Sequence, residues 1–187
     1  MSALNHFLKN IVTAFAVIVW FSLPAAAVEQ ARLDRLFQQL KQVEEAEAIK
    51  IAAEITLEMS KSGSPAMDLL LKRGKDALEA GDTQAAIEHL TALTDHAPNF
   101  AEGWHARATA FFQAGKLGPA LADLEQTLAL NPRHFGALYG LAVIFEQLNR
   151  NEEAYDAYSE VLAIHPHHED VAKALERLEP LVNGVNL

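Results

Sequence analysis

The sequence predicts an all-α protein, a solenoid built from stacked helix hairpins. The first observation is a repeat, because Pro98, Pro132 and Pro166 follow one another at intervals of 34 residues (132 − 98 and 166 − 132). The second is that each interval contains two apolar stripes with helical spacing, separated by residues that end helices. Repeated helix pairs with periods of about 20 to 50 residues form solenoids, in which each unit buries its apolar face against its neighbours.

The middle unit shows how the sequence divides into two helices. Trp104, Ala108 and Phe111 lie at i, i+4 and i+7, the spacing of one helical face. Gly115 follows, and glycine readily adopts the left-handed conformation that ends a helix. Pro119 is tolerated in the first turn of the next helix. The apolar stripe of that second helix consists of Ala120, Leu121, Leu124 and Leu128.

Small residues recur at one position of every unit. Ala86, Ala120 and Ala154 keep the 34-residue step. A small side chain at a repeated helical position predicts the place where the two helices of a hairpin cross closely, since a larger one would push their axes apart. A second column, Gly81, Gly115 and Asn149, marks the turn between the two helices.

These columns resemble the tetratricopeptide repeat (TPR) family, whose pattern is W-x2-L-G-x2-Y, then A-x3-F, then P, over 34 residues. The resemblance places three repeats at 67–100, 101–134 and 135–168. The matching residues are Leu70, Gly74, Ala77, Ala86, Leu90 and Pro98; then Trp104, Ala108, Phe111, Ala120, Leu124 and Pro132; then Leu138, Leu141, Ala142, Phe145, Ala154, Tyr158 and Pro166. It implies a right-handed superhelix of helix pairs whose concave face holds an extended peptide or a partner helix.

Two arginines depart from the TPR pattern, since Arg73 and Arg107 stand where the family has leucine. In the second repeat Asp123 lies on the following helix, one position before Leu124. A lone buried charge is costly, so we expect Arg107 and Asp123 to form an ion pair within the hairpin. The first repeat has no such acid, and Arg73 therefore needs another partner or an exposed position.

The flanking segments are also expected to be helical. Residues 28–66 carry two short apolar stripes and predict an N-terminal helical hairpin, which is either a degenerate repeat or a coiled-coil arm; the stripes are short for a coiled coil. Residues 169–187 predict a capping helix and tail, with a polar outer face of the kind that solenoid ends need. We expect Pro180 to end that helix.

Residues 1–27 have the pattern of a signal peptide. One lysine, Lys9, precedes the uncharged run Ile11–Leu23, and Pro24 and three alanines follow. Cleavage would place the protein in the periplasm or outside the cell. The alternative is an uncleaved inner-membrane anchor, because the uncharged interval approaches the roughly 20 residues that span a bilayer.

Composition argues against several functions. The formal net charge is −10, which disfavours nucleic-acid binding. There are no cysteines, and the dinucleotide, P-loop, zinc-protease and serine-hydrolase motifs are missing. We therefore expect a non-catalytic protein without cofactor or metal. One metal candidate is His165-Pro166-His167-His168-Glu169-Asp170, although this segment is better interpreted as the turn before the capping helix.

The predicted function is that of a protein- or peptide-binding scaffold of the cell envelope. The alternatives are a membrane-anchored assembly factor of a multi-protein complex and a metal-dependent enzyme using residues 165–168. Exposed aromatic residues on the first helices would bind the partner, or would instead seal neighbouring repeats. The oligomeric state is left open. The predicted partner-binding groove consists of Lys72, Lys75, Leu78, His105, Thr109, Phe112, Tyr139, Val143 and Glu146.

Overall fold

The computed structural model describes the backbone of residues 25–184 and the side chains of residues 29–184. This part of the chain contains helices and no strand. Clustering of the backbone divides the chain into two compact units, residues 1–36 and 37–187. The signal-peptide prediction concerns residues that lie almost entirely outside the described part. The helices are α1 Ala25–Leu40, α2 Glu45–Met59, α3 Pro65–Glu79, α4 Thr83–His96, α5 Ala101–Gln113, α6 Leu117–Leu130, α7 Phe135–Gln147, α8 Asn151–Ile164 and α9 Glu169–Val182.

Three helix hairpins stack into an array, as the repeat predicts. Helix α3 packs on α4, α5 on α6 and α7 on α8, and each second helix also contacts the helix that follows it. Helices α3, α5 and α7 are the first helices of successive repeats, and α5 contacts both of the others. The all-α solenoid predicted from the sequence is therefore confirmed.

The turn column has the conformation expected from its residue types. Gly81, Gly115 and Asn149 have φ values of 77°, 72° and 57°. These left-handed values are open to glycine and are the ones that asparagine tolerates best among the other residues. Each hairpin therefore turns in the same way, one repeat after another.

The helix crossings lie at the alanine column. Ala86, Ala120 and Ala154 are completely buried. In the first repeat Gly74 faces the same crossing, where an added Cβ would lie 2.4 Å from Cγ of Leu90. The close approach of the two helices in this hairpin therefore depends on the absence of a side chain at residue 74.

The predicted ion pair is present in the second hairpin. Arg107 Nε donates to Asp123 Oδ2 at 2.7 Å, and Nη2 donates to Oδ1 at 2.9 Å. A third guanidinium nitrogen, Nη1, donates to Thr94 Oγ1 at 2.8 Å. This bidentate arrangement satisfies a nearly buried carboxylate. Arg73, which has no equivalent acid, is exposed.

Helix α2 lies along the turns between repeats. Asn131, in the turn before α7, donates to the sulfur of Met59 at 3.3 Å. Farther along α2, Ile49 and Thr56 face the turn before α9 across a shared cavity. The N-terminal segment thus contacts the second and third repeats. The domain boundaries stay predictions.

The capping helix is longer than expected. Helix α9 continues through Pro180 to Val182, so the prediction that this proline ends the helix was wrong. Pro180 lies in the last turn of α9, where few intrahelical hydrogen bonds remain to be lost. Within the described residues, no helix has both the length and the apolar character that crossing a bilayer requires.

Replacing Ala120 with leucine should loosen the array. The site is completely buried, and overpacking of this kind costs about 1–3 kcal/mol of unfolding free energy. The measurement is urea denaturation monitored by circular dichroism. Ala122→Leu is the matched control, because Ala122 is exposed on the same helix. Equal unfolding free energies for the two variants would contradict the crossing assignment.

Candidate functional site

An apolar recess lies between the first helices of the second and third repeats, α5 and α7. Its volume is about 190 Å³. We call it the α5–α7 recess. Its lining residues are His105, Ala108, Thr109, Phe112, Leu124, Gly136, Tyr139, Gly140, Val143 and Ile144.

Two glycines on α7 shape the recess. A Cβ at Gly140 would lie 3.1 Å from the side chain of Leu124, and one at Gly136 would lie 3.3 Å from Nε2 of His105. Both distances are closer than ordinary van der Waals contacts. The absence of side chains at these two positions therefore lets α7 approach α5 and α6 while leaving space above its backbone.

Five of the predicted groove residues line the recess. They come from two different repeats, and the structure brings them together: His105, Thr109, Phe112, Tyr139 and Val143. The superhelical stacking of α5 on α7 is what places them around one cavity. The assignment of these residues to partner binding stays a prediction.

The other four predicted residues make contacts elsewhere. Lys72 pairs with Asp76 on its own helix at 2.6 Å. Leu78 packs in the apolar core of the first repeat. Glu146 contacts Arg177 of α9 and accepts a hydrogen bond from the Tyr158 hydroxyl at 3.3 Å. The fourth, Lys75, belongs to the charged network described below.

Phe112 and Tyr139 have two roles each. Phe112 is half-buried and packs against the cluster that joins the second and third repeats, while one side lines the recess. The Tyr139 ring stacks on His168 at a centroid distance of 5.4 Å and meets Tyr158 edge-on at 5.9 Å. Both interpretations of these aromatics therefore apply, since each ring seals a neighbouring element and also lines the recess.

A buried carboxylate, Glu102, adjoins one end of the recess. It lies in the first turn of α5 and is only 3% exposed. Lys75 of α3 donates to its Oε1 at 2.6 Å, and Ser60, which follows α2, also approaches Oε1. Nε2 of His134 lies 3.1 Å from Oε2, and Nδ1 of His105 lies 3.4 Å from the same oxygen. We call these five residues the Glu102 network.

Sequence reasoning missed the Glu102 network. Lys75 and Glu102 are 27 residues apart, and Glu102 and His134 are 32 apart. Neither separation equals the repeat period, and each pair joins two different repeats. The available signal was the position of Glu102 and His134 near the starts of successive first helices, which stack on one another in the array.

Burial and charge act in opposite directions on these groups. Burial alone would raise the pKa of Glu102, but the contacts with His105 and His134 and the charge of Lys75 outweigh it, so the pKa lies well below its usual range. Burial lowers the pKa of His134, and the hydrogen bond with Glu102 offsets this only in part. The network therefore holds an ionised carboxylate beside a neutral His134 at neutral pH.

The Glu102 network is also the one group within residues 29–184 that gathers three potential metal-ligand side chains. The ligand atoms of Glu102, His105 and His134 lie within 4.8 Å of one another. However, Nδ1 of His134 accepts a hydrogen bond from the backbone N–H of Ala137 at 3.1 Å. The proton of neutral His134 must then be on Nε2, the atom that would bind a metal. The geometry fits a hydrogen-bonded network better than a metal centre.

The His165 turn lines a different cavity. This cavity has a volume of about 330 Å³ and lies between α2 and the start of α9. Its walls include His165, His167 and His168, together with Glu169 and Asp170. Within the described residues, these side chains do not gather as the ligand atoms of the Glu102 network do. His165 is buried against Phe135 at a ring distance of 5.7 Å.

Substitution of His134 should change how stability depends on pH. Because the folded-state pKa is lowered, the unfolded chain binds a proton below its ordinary pKa of about 6.5 that the folded chain does not bind. The free energy of unfolding therefore falls as the pH drops from 7 towards 5. His134→Asn retains an acceptor suited to capping α7 and removes this titration. Urea denaturation across this range should give a shallower pH dependence for the variant; parallel curves would contradict the assignment.

The comparisons with known proteins agree with the repeat architecture. The tetratricopeptide repeat family model matches residues 71–118 and 105–169. A TPR repeat-containing protein of Rhizobium etli is 36% identical over 143 residues, which cover 76% of this chain and 70% of the relative. The match to the family and the match to this relative rest on the same repeated columns.

Solved structures show the same fold. The first TPR of Spaghetti (RPAP3), bound to the HSP90 peptide SRMEEVD, superimposes with a TM-score of 0.61 at 24% identity, covering 64% of this chain and 95% of that one. A crystal structure of MamA superimposes with a TM-score of 0.59 at 19% identity and covers 88% of this chain and 87% of that one. The chain belongs to the tetratricopeptide repeat family.

Proposed function

We propose that this protein is a non-catalytic scaffold that binds a protein or peptide segment on its concave face, with the α5–α7 recess as the central contact. The observation that carries the proposal is the recess itself, an apolar cavity lined by side chains of two repeats. Concave apolar sites with a few polar groups are the usual form of binding sites. The RPAP3 domain with the same fold is described with a bound HSP90 peptide, which supports peptide binding as the use of such an array.

The charges near the recess favour an apolar contact over an ionic one. Lys75 is paired with Glu102 and Lys72 with Asp76, so neither lysine is available as an unpaired cation for an acidic partner. Glu146 is likewise paired with Arg177. The sequence-based expectation of an acid bound beside Lys72 and Lys75 is therefore replaced by recognition of an apolar side chain.

The proposed location is the cell envelope. The pattern of residues 1–27 supports export with cleavage before Val28. If that segment is retained, the same array would act as a membrane-anchored assembly factor of a larger complex. The metal-dependent enzyme is the least supported alternative, because the chemistry of the His165 turn would need ligand atoms drawn together.

Filling the recess should abolish partner binding. We expect Thr109→Arg to place a long charged side chain in the cavity and to prevent capture of the partner from an extract of the source cells. Capture is measured by affinity purification and mass spectrometry, with thermal unfolding to confirm that the variant is folded.

Gln113→Arg is the matched control for this experiment. Gln113 is exposed near the end of the same helix and does not line the recess, so the control adds the same charge outside the cavity. Loss of the partner with Thr109→Arg alone supports the recess. Equal capture by both variants and by the wild type would contradict it.

The intact mass of the exported protein tests the location. We expect cleavage after Ala27, so the mature chain should begin at Val28 and be recovered from the periplasmic or secreted fraction. A protein that retains Met1 and is recovered with the inner membrane would contradict cleavage and favour the anchored alternative.

A further inference from the structure

His105 forms the polar end of the α5–α7 recess. Its Nδ1 atom is buried and lies 3.4 Å from Oε2 of Glu102. Its Nε2 atom lies on the opposite side of the ring, beside Gly136, which is itself part of the recess wall. The imidazole therefore separates the buried carboxylate from the cavity.

The position of Glu102 determines which ring nitrogen carries the proton. At 3.4 Å the contact is electrostatic rather than a well-formed hydrogen bond. A lone pair on Nδ1 facing a carboxylate oxygen would be repelled, so neutral His105 carries its proton on Nδ1. Nε2 then has a free lone pair and can accept a hydrogen bond at the end of the recess.

The size of the recess fits one aromatic ring. An engineered apolar cavity of about 150 Å³ accepts benzene, and the recess has about 190 Å³. The half-buried rings of Phe112 and Tyr139 contribute to its walls. Aromatic pairs stabilise contacts by about 0.5–1.5 kcal/mol beyond the area they bury, so these walls favour an aromatic side chain over an aliphatic one.

Charge complementarity selects an uncharged side chain. The carboxylate behind His105 is already matched by Lys75 at 2.6 Å. A charged group entering the cavity would lose its hydration without gaining an unpaired counter-charge. The side chain that suits this site is therefore a neutral ring with one polar hydrogen at its far end.

We propose that the α5–α7 recess receives a tyrosine side chain of the partner, whose phenol O–H donates to Nε2 of His105. This inference rests on the proposed function, since it names the anchor residue of the same site. Glu102 is a positioning residue here, because it acts on the partner only through the tautomer of His105.

The experiment uses two probes that represent side chains, p-cresol for tyrosine and toluene for phenylalanine. Each is titrated into the purified chain, and the backbone amide shifts of Thr109, Gly136 and Gly140 are followed by NMR. In the wild type both probes should shift these amides, and p-cresol should bind at least as tightly as toluene. That result is informative because p-cresol is the more strongly hydrated probe and needs the hydrogen bond to compensate.

Variants of His105 isolate the hydrogen bond. His105→Phe keeps a ring and removes the acceptor, so the affinity of p-cresol relative to toluene should fall about tenfold. His105→Gln restores an acceptor and should recover part of the preference. Thermal unfolding confirms that both variants are folded, and agreement between them guards against a purely structural effect.

Two outcomes would overturn the inference. If toluene binds in the recess and the relative affinity of p-cresol does not depend on residue 105, the tyrosine anchor is wrong while an apolar docking site remains. If neither probe shifts the three amides, the recess does not accept an aromatic ring. The proposed function is tested separately by Thr109→Arg, so its failure is distinguishable from failure of the tyrosine anchor.

Discussion

The buried carboxylate of Glu102 links the first helices of three successive repeats. It belongs to α5, receives a hydrogen bond from Lys75 of α3 and contacts His134, which caps α7. An ionised group that is only 3% exposed requires partners of this kind, because removing one of them would leave a charge without solvent or counter-ion. The relative placement of α3, α5 and α7 is therefore constrained at their shared edge by electrostatics, in addition to the apolar packing between the helices.

The recess depends on that placement. Its walls are α5 and α7, and its floor is close to Leu124 because Gly136 and Gly140 carry no side chains. His134 satisfies the first turn of α7 and also contacts Glu102, so the cap of one wall and the charge of the other belong to the same network. His105 completes the arrangement by lying between that network and the cavity.

The repeat architecture was predictable because it is encoded in columns. Proline, alanine and glycine positions 34 residues apart report local requirements, such as a turn or a close crossing, that do not depend on the rest of the fold. The Arg107–Asp123 pair was predictable for the same reason, since both residues belong to one hairpin whose internal geometry is known. Pro180 shows the limit of such rules, because its position in the last turn of α9 decides whether proline ends the helix.

Contacts between repeats were harder to predict. The sequence placed Lys75 and Glu146 in the groove from helical spacing alone, but their ion pairs involve α5 and α9, whose distances follow from the superhelical stacking. The same stacking gathers His105, Thr109, Phe112, Tyr139 and Val143 around one cavity. Helical periodicity therefore identifies which face of each helix is available, and the packing of one repeat on the next decides which residues of that face remain open.

The two cavities of the array differ in the way a binding site requires. The cavity at the His165 turn has α2 as one wall, and its opposite wall combines histidines with acidic residues. The α5–α7 recess has rigid first helices on both sides, an apolar lining and one polar group at its end. Preorganised walls reduce the entropy lost when a side chain enters, and a single polar group gives that side chain a direction. These properties make the recess, rather than the histidine turn, the part of this solenoid best suited to selective recognition.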